Sequence, residues 1–414
     1  MPPRLHLFLL LLALVPFPAA ASDVLQFWAL GREGETVKAL LPEFHRRHPE
    51  IAVKLQQVPW SAAHEKLLTG YAAGALPDVL HLGTTWIPEF VALGALEPLR
   101  AEAFPADFFP ALLAAYRVGE ELWCVPWYAD TRVLFYRSDL LAQAGWAEPP
   151  RDWQGWLGAM AALRRTGSAR FAMLAPADEW ELPVILGLQQ GARLLRDGDR
   201  YGDFRSLPFR RGMGFYLDLF RRGLAPPRAG GQVANLYREF GDGEFAVYLS
   251  GPWNLGEFRR RLPAHLQNSW STTPLPAFGA AGVGVSLAGG GGLAITRGSR
   301  YQEQAGRLIA YLTETAQQLR FYRDTGDLPP GRSAWSDPLL AADRQAQAFR
   351  IQLERLAAPP QIPEWERIAA KLADIGERMV REELTPERGL EQLDRDTDAI
   401  LEKRRWLLDR RPTR

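Results

Sequence analysis

Asp130 lies in Pro126-Trp127-Tyr128-Ala129-Asp130-Thr131-Arg132, a polar and aromatic segment between two apolar runs, and Glu33 lies beside Arg32 in the turn Gly31-Arg32-Glu33-Gly34. Two carboxylates flanking a glycosidic bond, one of them protonated, can hydrolyse it. Asp130 and Glu33 are the pair to consider for that role. Nothing marks either as an acid of raised pKa, however, and the chain carries no nucleophile elbow and no metal motif. A phosphate cradle is the competing reading of the run Gly289-Gly290-Gly291-Gly292, but that pattern requires a following Lys and Ser or Thr, and Leu293-Ala294-Ile295 follow instead. Cys124 is the only cysteine and sits in the apolar run from Leu122 to Trp127, so it is expected in the core, and no disulfide or structural metal site is expected. The candidates are groups for non-covalent recognition, with no enzyme activity and no cofactor expected.

Those groups fall at element junctions. From Val24 onward short apolar runs alternate with amphipathic stretches, the signature of βαβ units and a mainly parallel sheet. Strands are expected at Val24 to Ala29, Ile51 to Leu55 and Val79 to Leu82, with helices between, the first of them bent at Pro42. Ligands in open parallel sheets sit beyond the carboxyl ends of strands. That rule selects Arg32 and Glu33 after the first strand, Trp60 and His64 after the second, and Thr84, Thr85 and Trp86 after the third. Thr84 and Thr85 serve equally well as helix caps, Trp86 as a hydrophobic contact at a helix start, and His64 as a surface residue. Val133 to Tyr136 is a further strand, so Tyr128 and Asp130 lie on an extended stretch suited to crossing between lobes, with an ion pair to Arg132 as the alternative role of Asp130.

A second α/β unit follows, with helices at Trp153 to Arg165 and Pro208 to Arg222 and strands at Phe171 to Leu174 and Phe245 to Leu249. Trp253 stands just past the last of these. The glycine run, with Gly289 and Gly290 at its head, is expected to be a second crossing or a ligand-facing strand, because glycine admits unusual dihedrals and close backbone approach. The remainder reads as helical: Gln302 to Tyr322, a loop at Gly326 to Arg332, then Pro338 to Leu356 and Trp365 to the end. Arg332, Trp335 and Trp365 are candidates by their place in or beside loops. Among 14 Trp most must be core. Leu393, Ile400, Leu401 and Leu407 punctuate a charged terminal stretch, as a solvated helix docked by one stripe would.

The 414 residues imply about two domains. Forty-nine Lys and Arg against 48 Asp and Glu leave a formal charge of +1, so no summed field draws in nucleic acid or an anionic membrane. Arg4, the apolar run Leu7 to Phe17 and the small residues Ala19 to Ser22 form a signal-peptide pattern with cleavage after Ala21. The run is too short for a transmembrane helix, which needs roughly 20 apolar residues. With Cys124 far from the new N-terminus, a soluble periplasmic product without a lipid anchor is expected.

Taken together, Phe27-Trp28 before a glycine-rich turn, Leu76-Pro77-Asp78-Val79 leading to Thr85-Trp86, the segment Val125 to Arg132, Gly251-Pro252-Trp253, and Gly289-Gly290 before Leu293-Ala294-Ile295 carry a resemblance. In order and spacing, over essentially the whole mature chain, they resemble the family 1 extracellular sugar-binding proteins, the maltose and trehalose-maltose group. The resemblance implies an α/β fold of the class II periplasmic binding protein type, two lobes joined by hinge strands with a ligand cleft between them. It implies an N-lobe over 22–128 with 293–330 and a C-lobe over 129–292 with 331–414, a carbohydrate ligand, partner permease subunits of an ABC importer, and a monomer. Trp253 would stack on the sugar, and Tyr128 and Asp130 would meet its hydroxyls. The chain departs from the trehalose-maltose pattern at Gly83-Thr84, where a carboxylate is expected, and at Gly291, where an aromatic is expected. Another glucoside, a longer oligosaccharide or a glycerophosphodiester are therefore alternatives to maltose or trehalose, the last needing Arg32, Arg132 and Arg332 to converge.

Overall fold

The structure, a computed structural model, describes residues 23–104, 107–279 and 282–410; the signal-peptide pattern lies outside them. In chain order the elements that position the site are β1 (Asp23–Leu30), α1 (Glu33–Arg47), β2 (Ile51–Val58), α2 (Trp60–Ala72), β3 (Val79–Gly83), α3 (Ile87–Ala92), β4 (Val125–Asp130) and β5 (Val133–Arg137). They continue with β6 (Phe171–Leu174), α4 (Glu181–Gln189), β7 (Phe245–Ser250), α5 (Trp253–Arg261), β8 (Trp270–Thr273), β9 (Ser286–Leu287), β10 (Gly289–Ile295), α6 (Gln302–Leu312), α7 (Thr315–Thr325), β11 (Leu356–Ala357), α8 (Trp365–Val380) and α9 (Pro386–Ile400).

Two sheets organise the chain. The first has the order β2-β1-β3-β10-β4, with β1, β2 and β3 parallel and β10 antiparallel to both its neighbours. The second has the order β8-β5-β7-β6, in which only β6 and β7 are parallel. Alternation explains β1: Leu25, Phe27 and Ala29 are fully buried on one face. Every residue of β5, and all of β4 except Asp130, is buried, as expected where a sheet is covered on both sides. Cys124 lies among these core residues, where burial pushes its thiol pKa far up, so it is inert packing.

Adjacent stretches carry the chain between the sheets. Thr131-Arg132 joins β4 of the first sheet to β5 of the second, and Ala288 joins β9, which pairs with β11 in a separate two-stranded sheet, to β10 of the first. They are tied together: Arg132 N–H donates to Ser286 Oγ at 3.2 Å, and Ser286 Oγ donates back to Arg132 O at 2.8 Å. Alongside, Ala129 N–H donates to Leu328 O at 2.8 Å.

Three long helices read from periodicity are interrupted. The stretch 302–322 breaks between α6 and α7, where Thr313 Oγ1 turns back onto Ile309 O at 2.8 Å and Glu314 is extended. Pro338 to Leu356 breaks where Asp343 caps a new helix, accepting from the N–H groups of Gln345 and Ala346. The C-terminal stretch divides before Thr385, which caps α9 with Pro386 in its first turn. In that last region Leu393 and Leu401 dock into the core while Leu407 is exposed. Pro42, in contrast, is accommodated within α1.

Candidate functional site

A cleft of about 550 Å³ opens between the two sheets at their crossings. It collects the carboxyl ends of β1, β3, β4 and β7 and the residues that follow them. Gly31, at φ +60°, makes the turn after β1; a Cβ there would lie 2.4 Å from both Glu33 Oε2 and the Trp60 ring. This turn delivers Arg32 and Glu33 to the cleft, Trp60 comes from the first turn of α2, and Gly83 to Trp86 follow β3. Tyr128 and Asp130 end β4, Trp253 begins α5, and Gly289 and Gly290 face Asp130 and Ala129 across the ladder.

The aromatic wall is built in layers. Trp60 packs on Trp86 at 5.5 Å between centroids and edge-on to His81 at 5.2 Å. Behind Trp86 stands His64, whose Nε2 pairs with Glu89 at 2.7 Å; that bond raises its pKa. Trp253 is 40% exposed, its ring resting where a Cβ on Gly251 would lie, with the Arg132 guanidinium 4.7 Å from the ring centroid. Gly290 (φ +136°) and Gly291 let β10 close on β4: a Cβ on Gly291 would stand 2.2 Å from His81 Nε2 and 2.4 Å from the Tyr128 ring. The absent side chain at 291 thus leaves room for Tyr128. Burial pushes His81 down to about 3, so it stays neutral, accepting the Leu30 N–H at Nδ1.

Charge is unevenly distributed. Four carboxylates, Glu33, Asp130, Glu181 and Asp327, line the cleft against two guanidiniums, Arg32 and Arg132. Arg132 Nη1 donates to both oxygens of Asp130, at 2.7 and 2.9 Å, and Nη2 donates to Glu181 at 3.2 Å. Burial disfavours the Arg132 charge, but Asp130 and Glu181 outweigh it and hold its pKa above the ordinary value. For Asp130 burial prevails over Arg132 and raises the pKa. Arg32 turns outward to Glu257 at 3.6 Å and to Asp324 O at 3.0 Å. Glu33 and Asp327, 9% and 7% exposed, are left without an ion pair among the described residues; Trp60 Nε1 reaches Glu33 at 3.4 Å. Burial, aided by the mutual repulsion of the pair, pushes Asp327 up to about 8, and burial raises Glu33 as well.

Of the residues singled out from sequence, Arg32, Glu33, Trp60, Thr84, Thr85, Trp86, Tyr128, Asp130, Trp253, Gly289 and Gly290 line the cleft. Four do not. His64 is one layer behind, held by Glu89. Arg332 pairs with Glu354 at 2.9 Å and lies over Phe109. Trp335 is buried, its Nε1 donating to Pro329 O at 3.1 Å. Trp365 is a core residue that meets Trp180 edge-on at 5.4 Å, and it is Trp180 that faces the cleft. Sequence reasoning missed Asp327, Trp180 and Glu181 as lining residues. Glu181 and Trp180 stand at the start of an apolar helix, a signal of the same kind that selected Trp86. Asp327 lies in the stretch Gly326 to Arg332, expected only as a loop.

A cleft at the crossings between two α/β sheets, walled by aromatics and carboxylates, defines a two-lobe binding protein. The bacterial extracellular solute-binding protein family model matches residues 28–319, and the chain belongs to that family. The sugar-binding protein MalE from the phytopathogen Xanthomonas citri is similar in structure at a TM-score of 0.90 and 44% identity, covering 94% of this chain and all of that one. A putative binding protein of Brucella abortus is 24% identical over 372 residues, covering 87% of this chain and 88% of its own. The galactooligosaccharide-binding protein of Bacillus subtilis is 22% identical over 383 residues, covering 90% and 88%. The class II fold and the solute-binding family expected from the sequence are thereby established, and the protein is of the sugar-binding, ABC-importer type. Among the described residues no helix is long and apolar enough to cross a membrane.

Proposed function

We propose that the chain captures a neutral disaccharide such as maltose or trehalose in this cleft and delivers it to the permease subunits of an ABC importer, without chemical change. The observation that carries the proposal is the pairing of aromatic faces with buried carboxylates that have no ion pair among the described residues, beside guanidiniums whose charge is already met. A polyhydroxyl ligand supplies what is missing: C–H faces for Trp60, Trp86 and Trp253, and hydroxyl donors for Glu33 and Asp327. The volume falls within the roughly 300–1,000 Å³ of small-molecule sites. Similarity to a protein called MalE at 44% identity supports maltose as the first sugar to test.

A glycerophosphodiester is disfavoured, because Arg332 pairs with Glu354 away from the cleft and Arg132 is engaged by two carboxylates. Another glucoside or a longer oligosaccharide stays open, since the glycine at 291 alters the wall. The export signal at 1–21, cleavage after Ala21, and a soluble monomer in the periplasm complete the proposal; N-terminal sequencing of the protein recovered from the periplasm tests the cleavage.

Thermal unfolding with maltose, trehalose, maltotriose, a glucosylated polyol and a glycerophosphodiester tests the ligand. A ligand that binds only the native state stabilises it by about 2.7 kcal/mol at a hundredfold excess over Kd. Maltose or trehalose is expected to raise Tm; no shift with any sugar overturns the proposal. Glucose released beyond one equivalent per protein would instead make the chain a hydrolase.

A further inference from the structure

Glu33 and Asp327 are 294 residues apart in the sequence, yet both are buried and line the same cleft. Glu33 opens α1 and Asp327 follows the last turn of α7. Charged and titratable groups face them from several elements. From the start of α1 comes Arg32, whose guanidinium is turned to Glu257 on α5 and to Asp324 O. From β4 come Tyr128, whose hydroxyl is itself a hydrogen-bond donor to Glu33, and Asp130, already committed to Arg132. The end of α7 contributes only the neutral hydroxyl of Thr325, and α2 only the indole of Trp60. Among the described residues no cation forms an ion pair with either carboxylate, Arg32 acting on both only at longer range, and two like charges in such a place cannot both be sustained cheaply.

We propose that Glu33 and Asp327 act as one unit that holds a single proton in the ligand-free cleft and releases it to solvent when a sugar binds, each carboxylate then accepting a hydroxyl. The idea rests on the sugar-capture function above and adds to it a named pair of ligand-accepting residues and a linkage to pH. The cavity and the missing counter-charge carry it, and the upward displacement of Asp327 to about 8 agrees. A hydroxyl donor stabilises the ionised carboxylate and the retained proton competes with it, so affinity must rise with pH until the proton is no longer present to be displaced.

Calorimetric titration of the mature chain with maltose and with trehalose at pH 6, 7, 8 and 9 reads this directly. The association constant is expected to climb toward tenfold per pH unit below about 8 and to level off above it. At pH 7 the observed heat should differ between phosphate and Tris by close to one equivalent of their difference in ionisation heat. That measurement needs no variant. Asp327→Asn should bind with an affinity independent of pH and of buffer while still unfolding cooperatively. A wild-type affinity flat from pH 6 to 9, with heats identical in both buffers, overturns the proton linkage and leaves sugar capture standing. Absence of binding to any sugar at every pH overturns both.

Discussion

At the scale of single residues the cleft separates groups already satisfied within the protein from groups that wait for a ligand. Asp130 belongs to the first kind. Truncating it to Ala leaves Arg132 with Glu181 alone; breaking a buried pair costs roughly 3–5 kcal/mol, and the remaining carboxylate should reduce this to about 1–3. Asp130→Ala is thus expected to lower the unfolding midpoint as well as affinity. Trp253→Ala is the cleaner probe. Its exposed face at ~25 cal/mol per Å² accounts for about 1–2 kcal/mol of sugar binding, so calorimetry should show affinity falling roughly five- to thirtyfold with Tm nearly unchanged. Asp327 is of the waiting kind. Its folded-state pKa of about 8 stands above the ordinary 3.8, so the native state binds more protons than the unfolded chain between those values. Stability from this group is present at low pH and is lost as pH rises toward 8. Asp327→Asn should flatten the decline in Tm between pH 5 and 8, and melts of both proteins across that range check it.

Elements decide which of these residues meet. Junctions after β1, β3 and β7 were legible in the sequence, because strand alternation and turn residues are local signals and ligands gather beyond strand ends. Asp327 was not legible: its partnership with Glu33 depends on α7 packing beside α1, which no spacing announces. Trp365 shows the converse. It follows a Pro-containing loop like a surface residue, but it is the first residue of α8 and its stripe faces the core, so the ring backs Trp180 without reaching the cleft. The breaks between α6 and α7 and before α9 were missed for a related reason, since apolar periodicity continues across them while Thr313 and Thr385 redirect the backbone. The glycine run was read as a crossing or a ligand-facing strand, and β10 shows why its members are glycine. Gly291→Ala places a methyl 2.2 Å from His81 and 2.4 Å from Tyr128. Overpacking of this kind costs about 1–3 kcal/mol. The variant should lose that much in denaturant unfolding and, by pushing Tyr128 into the cleft, bind sugar more weakly.

For the whole molecule the question is what holds the two sheets in register across the cleft. The crossings do so covalently and through the Ser286–Arg132 exchange, while Arg32 from the β1 side reaches Glu257 on α5 from the other. That bridge is 3.6 Å long and its arginine is 46% exposed, so it belongs with surface pairs worth about 0.2–1 kcal/mol. Glu257 also serves Arg260 and Arg261 on its own helix, which weakens its commitment to Arg32. Glu257→Gln removes the bridge and with it no more than that amount of the free energy holding the two sides of the cleft together. Sugar affinity should then fall by no more than about fivefold. At high salt, where the Debye length shrinks to about 3 Å, the difference between Glu257→Gln and the native chain should disappear. Titrations of both proteins at low and at 1 M salt measure it. A loss much larger than fivefold, or one that persists at high salt, would mean that Glu257 acts on the ligand through the cleft wall and not through a bridge between the lobes.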